Sequence, residues 1–279
     1  MNEQTDEPAG ARRIAVLGAG KMGETLIRGM LSAGATSADR IVATAAHQPR
    51  LDDLARRLDI AVTLDNRSAV ADADVVLLCV KPQMGISVLE EISPELRSSH
   101  LVISILASLT TGAIERRLSA SVPVVRAMPN TPALVRAGMT ALCAGSHAGP
   151  DALATAAQLF EPLGRTLVIE EKHFDAVTGL SASGPAFVYL MIESLADGGV
   201  KVGLPRGVAT ELAAQACLGA ARMVLETGAH PALLKDEVTT PAGCTVDGLL
   251  QLEDGGVRVT LIKAVVEARA RASELVQDD

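Results

Sequence analysis

Residues 13–23 read RIAVLGAGKMG, and they carry the strongest single indication of the fold. A short apolar run leads directly into the pattern GAGKMG at residues 18–23, and a helical pattern follows it. In such a segment the first glycine permits a tight turn, the second lets backbone approach a pyrophosphate, and the third lets helix and strand pack closely. The positive end of the helix then meets the phosphates. A glycine turn without a ligand is the alternative, but the strand–turn–helix context favours a dinucleotide site.

Short β-branched apolar runs alternate with amphipathic stretches from residue 12 to about residue 168. This alternation is typical of a parallel sheet that is covered by helices on both faces. The strand candidates are residues 13–17, 40–44, 60–62, 74–80, 101–105, 122–127, 139–143 and 166–169, the last two as later or edge strands. We therefore predict an α/β protein whose N-terminal Rossmann-type doubly wound sheet covers residues 12–170.

The strand signals end after about Glu171, and helical patterns follow at residues 187–200, 206–225 and 257–275. The alanine-rich run at residues 209–221 is apolar on more than one side, so a helix there must be buried. We predict an all-helical dimerisation domain over residues 171–279. It would bury this surface against a second copy, in a homodimer or larger homo-oligomer.

Composition argues against several other partners. The chain has 279 residues, a formal net charge of −8, one Tyr, three Phe and no Trp. Nucleic-acid binding is therefore not expected, because aromatic stacking platforms and a positive field are both missing. No apolar run reaches the ~18–20 residues of a membrane span. The polar, acidic residues 1–11 predict a disordered tail rather than a signal peptide, which indicates a cytoplasmic protein.

The four cysteines, Cys79, Cys143, Cys217 and Cys244, are far apart in the sequence. They lack the paired spacing of a metal site or a redox motif. We expect no bound metal.

The exit of the second strand reports on the choice between NADH and NADPH. An acidic residue there would bind the ribose 2′-hydroxyl and repel a 2′-phosphate. Residues 44–50 read TAAHQPR and contain no acid, whereas His47 and Arg50 could supply positive charge, unless they are solvated loop residues. We predict NADPH as the cofactor, with NADH as an alternative. At the end of the fourth strand Pro82 stops the ladder, while Lys81 is either a cofactor contact or a solvated strand-end lysine.

Four stretches carry a more specific signal. They are AVTGLSASGPAFVYLMIESLADGGVKVGLPR at residues 176–206, TGAHPALLKDEVTTPAGCTVDGLLQLE at 227–253, VKPQ at 80–83 and RAMPNTPA at 126–133. In these stretches the chain resembles the pyrroline-5-carboxylate reductases, and the resemblance extends from about residue 12 to residue 275. It implies NAD(P)H-dependent reduction of a five-membered cyclic imine, 1-pyrroline-5-carboxylate, to L-proline, the last step of proline biosynthesis. It also implies a Rossmann domain followed by a helical domain that dimerises.

The resemblance implies cofactor contacts from the glycine loop and from three later segments. The residues are Leu17, Gly18, Ala19, Gly20, Lys21, Met22, Asn66, Cys79, Val80, Lys81, Pro82, Ile105, Leu106 and Ala107.

Substrate binding and catalysis are implied for the loop TTPAGCTV at residues 239–246. By resemblance, Thr240, Gly243, Cys244 and Thr245 would hold the substrate, and Thr245 would be catalytic. A threonine is a poor general acid, so we expect the Thr245 hydroxyl to orient the ring nitrogen or to relay a proton from water. A helix N-terminus offers unpaired amides that suit a carboxylate. The alternative is that Thr240 is an ordinary N-cap whose helix starts at Pro241, and the two functions can coexist.

Some positions depart from the family pattern. Ala182, Ala242 and Ser108 stand where the family usually has glycine, Phe187 stands where tyrosine is usual, and Cys244 stands where threonine or alanine is common. Ala242 matters most, because a Cβ costs about 1–2 kcal/mol if the loop needs a positive φ.

Three other interpretations are open at this point. A reductase of the six-membered homologous imine would need the same loop and only a different pocket volume. A dinucleotide-binding sensor without turnover would retain the glycine loop but would not need Thr240, Gly243 and Thr245. A hydroxy-acid dehydrogenase would need a catalytic His230 or Lys235, although His230-Pro231 is typical of a helix start.

Overall fold

The computed structural model describes residues 12–107 and 109–275. The predicted N-terminal tail and Ser108 therefore lie outside the described residues. The chain forms two units, one with the residues up to Ala182 and those from Ala268 onward, the other with Ser183–Glu267.

The first unit is built on one sheet with the strand order β3-β2-β1-β4-β5-β6-β7-β8. Neighbouring strands are parallel except for the antiparallel pair β6–β7. The strands are β1 Ile14–Leu17, β2 Ile41–Thr44, β3 Ala61–Thr63, β4 Val75–Leu78, β5 Leu101–Ser104, β6 Val124–Met128, β7 Gly138–Ala144 and β8 Gly164–Val168. Each strand candidate of the sequence is confirmed, with ends that differ by a few residues.

Helices cover both faces of this sheet. They are α1 Lys21–Ser32, α2 Gln48–Leu58, α3 Asn66–Ala71, α4 Gly85–Ile92, α5 Thr111–Glu115, α6 Pro150–Phe160 and α7 Phe174–Val177, with a π-helical turn at Thr178–Ala182. Successive strand residues point to opposite faces. In β1, Ile14 and Val16 enter one apolar core, whereas Ala15 and Leu17 enter another. Because both faces are buried, the strands read as continuous apolar runs, and the predicted doubly wound class is confirmed.

The second unit is helical. Its helices are α8 Gly184–Lys201, α9 Arg206–Thr227, α10 Pro231–Glu237, α11 Cys244–Asp254 and the first part of α12 Val257–Leu275. Helices α8 and α9 pack through small residues, since Ala196, Ala209 and Ala213 form their buried cluster. At Gly199 a Cβ would lie 2.9 Å from the Ala209 Cβ, so glycine permits this close approach.

Large apolar side chains of the second unit are left exposed by this chain. Leu190, Leu212 and Ile262 are 63%, 56% and 58% exposed. Exposed apolar surface of this extent marks a contact with another molecule. The surface agrees with the prediction that the helical domain associates with a second copy.

Within the described residues, α9 is long and apolar enough to cross a membrane by length and composition alone. The expectation that no segment has this character is therefore wrong for α9. The reason is that its many alanines raise the average hydropathy although Arg206, Glu211, Arg222 and Glu226 lie along the helix. Core helices and signal sequences meet the same criterion, so one such helix is weak evidence for a membrane span.

Candidate functional site

The glycine loop has the geometry that its three glycines predict. Gly18 has φ +86°, and a Cβ there would lie 2.7 Å from backbone atoms of Val80. A Cβ on Gly23 would lie 2.7 Å from the Gly18 carbonyl oxygen, so this glycine permits the close packing of α1 on the loop. At Gly20 a Cβ would meet nothing within 4 Å, which leaves that side of the loop open. Gly20 is the N-cap of α1 and has no side chain to satisfy the first-turn amides.

The later segments assigned to the cofactor lie at the same edge of the sheet. The Cys79 amide donates to the Leu17 carbonyl at 2.8 Å, and the Ile105 amide donates to the Leu78 carbonyl at 3.1 Å. Strand β4 ends at Leu78, and Pro82 opens a 3₁₀ turn, as its missing N–H requires. The carboxyl edge of strands β1, β4 and β5 is where ligands bind in open α/β sheets.

The assigned cofactor residues differ in exposure. Leu17, Ala19 and Leu106 are buried, so only their backbone is available to a ligand. Cys79 is half-buried as a residue, but its thiol is shielded from water, and this desolvation raises the pKa of the thiol to about 12. The half-buried residues are Gly18, Met22, Asn66, Cys79, Val80, Ile105 and Ala107. The exposed residues are Gly20, Lys21, Lys81 and Pro82.

Asn66 lies at the same edge but two strands from β1, because it begins α3 just after β3. Its side-chain amide donates to the Glu91 carboxylate at 2.9 Å. Asp65 caps this helix by accepting hydrogen bonds from two first-turn amides, those of Arg67 and Ser68. The Asn66 side chain therefore already has one protein partner.

The exit of β2 holds the glycine loop in place. The Thr44 hydroxyl accepts from the Gly18 amide at 3.1 Å, and the Thr44 carbonyl accepts from the Ala19 amide at 2.6 Å. The sequence reasoning missed this function of Thr44, although a polar residue at the end of a buried apolar strand is a usable signal. His47 is the exposed N-cap residue of α2. Arg50 turns back to the loop, where its Nε donates to the Ala19 carbonyl at 3.1 Å.

A buried arginine fixes the segment that follows β5. Arg126 is 2% exposed on β6, and its guanidinium donates to the Ala107 carbonyl at 2.7 Å. The same group pairs with Glu171 at 3.1 Å and lies 4.8 Å from the centre of the Phe174 ring. Glu171 also accepts from the amide and the hydroxyl of Thr111, at 2.7 and 2.6 Å. The sequence reasoning missed this cluster, and its signal was a charged residue inside the apolar strand VVRAM.

The motif RAMPNTPA has a second structural function. The Asn130 side-chain oxygen accepts from the Met139 amide at 2.9 Å, and its nitrogen donates to the Ser181 carbonyl at 3.2 Å. Asn130 thus ties the segment after β6 to the start of β7 and to the π-helical turn.

In the second unit, the loop assigned to the substrate is a tight turn followed by a helix. The Gly243 amide donates to the Thr240 carbonyl at 2.9 Å, and Ala242 has φ +56°. A type II turn has proline at its second position and a residue with positive φ at its third position, as Pro241 and Ala242 are here. Helix α11 begins only at Cys244 with Gly243 as its N-cap, so the interpretation of Thr240 as N-cap is wrong. Local residue preference indicated a cap, but the hydrogen-bonded turn places Thr240 before the helix.

The start of α11 is chemically open. Gly243 cannot cap through a side chain, and a Cβ on it would overlap the Thr240 hydroxyl oxygen. Thr240 and Cys244 are exposed, whereas Gly243 and Thr245 are half-buried. First-turn amides of an uncapped helix can donate hydrogen bonds to a carboxylate. The four residues assigned to the substrate therefore form one small surface at this helix start.

Two further groups bear on alternative chemistries. His230 is the N-cap residue of α10, where its Nδ1 accepts from the Ala232 amide at 3.2 Å, as expected of a helix start. Within residues 12–107 and 109–275, no cluster of three His, Cys, Asp or Glu side chains is placed to hold a metal ion.

A doubly wound sheet with an open glycine turn at a helix start, followed by an all-helical unit, is the arrangement found in nicotinamide-dependent oxidoreductases. A family profile described as NADP oxidoreductase, coenzyme F420-dependent, matches residues 13–108. A second profile, described as pyrroline-5-carboxylate reductase dimerisation, matches residues 171–275.

Relatives match over nearly the whole chain. A pyrroline-5-carboxylate reductase of Methanosarcina acetivorans is 43% identical over 95% of this chain and 98% of its own length. The structure of a pyrroline-5-carboxylate reductase from Coxiella burnetii matches with TM-score 0.88 and 36% identity, over 95% of this chain and 99% of that one. The Plasmodium falciparum pyrroline carboxylate reductase with NADP bound matches with TM-score 0.86 and 30% identity, over 96% and 99%. The chain belongs to the pyrroline-5-carboxylate reductase family, which confirms the resemblance stated above.

Proposed function

We propose that this chain catalyses the NAD(P)H-dependent reduction of 1-pyrroline-5-carboxylate to L-proline, the last step of proline biosynthesis. The observation that carries the proposal is 43% identity, over 95% of this chain, to an enzyme named for this reaction. The geometry of the glycine loop and of the loop before α11 supports it. The chain works as a homo-oligomer through its helical domain, which matches the dimerisation profile.

The residues of the first unit fit a nicotinamide dinucleotide. Gly18 and Gly23 permit the tight turn, and the open face of Gly20 leaves room for the pyrophosphate. The uncapped amides of Lys21 and Met22 would meet its negative charge. When bound, the cofactor supplies the hydride. We assign the remaining contacts to Asn66 and to residues 79–82 and 105–107, with NADPH preferred because the exit of β2 carries no acid.

The residues of the second unit fit a small carboxylated imine. We assign the substrate carboxylate to the amides at the start of α11 and to the Thr240 hydroxyl. The Thr245 hydroxyl would donate to the ring nitrogen and hold the imine in position while the carbon is reduced. Because Thr is a weak acid, its hydroxyl either orients the basic imine nitrogen through a hydrogen bond or relays a proton from water to that nitrogen.

Domain limits, location and partners complete the proposal. We propose a tail at residues 1–11, a dinucleotide-binding domain at 12–170 and a helical dimerisation and substrate domain at 171–279. The net charge of −8 supports a protein that binds no nucleic acid, and we propose a cytoplasmic location.

The first test follows absorbance of the reduced nicotinamide with 1-pyrroline-5-carboxylate, in parallel with NADPH and NADH. We expect oxidation of both, faster with NADPH. The six-membered homologous imine is a third arm, and faster turnover of that substrate would replace the assigned one. Cofactor binding without oxidation of any imine would support the sensor interpretation instead.

The second test concerns Thr245. We expect Thr245→Ala to lower kcat about 10²-fold or more while NADPH binding stays nearly intact. The matched control is Thr210→Ala, because the exposed Thr210 hydroxyl donates to the Arg206 carbonyl at 3.0 Å within α9, outside the loop assigned to the substrate. Unchanged turnover in the Thr245 variant would remove its catalytic function.

A further inference from the structure

An ion-pair network that could not be predicted from the sequence lies on the α1–α2 side of the glycine loop. The Glu24 carboxylate, on the first turn of α1, pairs with Arg50 at 2.5 Å and with Arg57 at 2.7 Å. Its side chain is only 15% exposed. Asp53 on α2 joins the network through Arg56 and Arg57, and its carboxylate also lies 3.7 Å from the Arg50 guanidinium.

We propose that Glu24 is a specificity-determining residue whose negative charge limits the preference of the site for NADPH over NADH. This inference rests on the proposed cofactor site and concerns only the choice between the two nicotinamide dinucleotides.

The ion-pair network affects the choice between NADPH and NADH because of where it lies in the fold. In this fold the ribose 2′ position lies at the exit of the second strand, which here runs from Thr44 into α2. An acid on the strand itself would repel the 2′-phosphate, but residues 44–50 contain none. Glu24 brings a carboxylate to the same region from α1, because Arg50 bridges the glycine loop and α1. Glu24 is therefore an acidic residue near the 2′ position that the sequence of β2 and its exit does not reveal.

Arg50 is held in place without Glu24. Its Nε donates to the Ala19 carbonyl at 3.1 Å and its terminal nitrogen to the Gly20 carbonyl at 3.3 Å. Loss of the Glu24 charge should therefore leave the guanidinium beside the loop, with the Asp53 carboxylate at 3.7 Å as its remaining acidic partner, and make more of its positive charge available to a phosphate. If Glu24 were the only anchor of Arg50, its removal would displace the arginine and weaken the preference for NADPH.

The charge of Glu24 is permanent under assay conditions. The hydrogen bond from Arg57 holds the pKa of this carboxyl below its ordinary value, and Arg50 acts in the same direction. Neutral pH therefore leaves the carboxylate ionised, and only a substitution removes its charge. Salt screens such interactions, so the effect of Glu24 should shrink at high ionic strength.

The test measures the dissociation constants of NADPH and NADH directly, by titration calorimetry, so that it does not depend on imine turnover. We expect Glu24→Gln to raise the ratio Kd(NADH)/Kd(NADPH) about three- to tenfold at low salt, and less in 0.5 M KCl. We expect Arg50→Met to lower the same ratio. The control is Glu226→Gln, which removes an equal charge from the exposed Arg222–Glu226 pair on α9 and should leave the ratio unchanged.

The outcomes separate the inference from the proposed function. A ratio Kd(NADH)/Kd(NADPH) that is unchanged or lower in Glu24→Gln would overturn the inference. An unchanged ratio would mean that Glu24 is merely structural, because such a residue affects the affinities for both cofactors equally. If the wild-type chain binds both cofactors but oxidises neither with any imine, the proposed reaction is wrong. The inference about Glu24 is still tested in that case, because it depends only on the two dissociation constants.

Discussion

The Arg126–Glu171 pair makes a strong prediction about stability, tested by Glu171→Ala. The substitution removes the carboxylate partner of a guanidinium that is 2% exposed, together with two hydrogen bonds from Thr111. Removing one partner of a buried ion pair costs about 3–5 kcal/mol, because the other charge stays buried and uncompensated. Since the Glu171 side chain is 26% exposed, water replaces part of the loss. We expect the free energy of unfolding to fall by about 2–4 kcal/mol.

The assay is urea unfolding followed by far-ultraviolet circular dichroism, since the chain contains no Trp. With a slope of about 2–3 kcal/mol per molar urea, the expected loss lowers the midpoint by about 1 M. NADPH should also bind more weakly, because Arg126 holds the Ala107 carbonyl at 2.7 Å. That second readout links the pair to the proposed cofactor segment.

The control for this prediction is Glu170→Ala, at the residue next to Glu171. Glu170 pairs with Lys172, but the two side chains are 72% and 64% exposed. Such a surface pair contributes about 0–1 kcal/mol, so Glu170→Ala should leave the midpoint almost unchanged. The double variant Arg126→Met with Glu171→Leu removes both charges and should regain much of the stability. Equal midpoints for Glu171→Ala and Glu170→Ala would refute the reasoning.

Three other predictions concern single positions. Ala242→Gly removes the cost of a Cβ at φ +56°, about 1–2 kcal/mol, against about 0.4–1 kcal/mol of added chain entropy, so we expect a slightly higher melting temperature. A lower one would show that the turn is not strained. Gly18→Ala places a Cβ 2.7 Å from the Val80 backbone, so NADPH affinity measured by calorimetry should fall at least about tenfold; unchanged affinity would contradict the loop geometry. Burial raises the pKa of the Cys143 thiol to about 12, so iodoacetamide at pH 8 should label it only after denaturation, and labelling of the native chain by peptide mass would contradict its burial.

Much of the first unit could be predicted from local sequence. The eight strands follow from apolar runs, and the glycine turn follows from residues that are adjacent in the chain. These signals are reliable because strand period and turn conformation are local properties. The same local reasoning failed at Thr240, where capping preference competes with a type II turn that Pro241 and Ala242 close before the helix.

The class of fold, the location of the glycine loop and, through extended motifs, the family could be predicted from the sequence. The ion pairs between distant residues could be found only in the folded chain: Arg126 pairs with Glu171, and Arg50 with Glu24. Partners 45 and 26 residues apart leave no periodic signal, because their contact depends on which strands and helices become neighbours. The physical reason is that burial and Coulomb energy depend on distance in space, whereas sequence patterns report only on what lies within a few turns or strands.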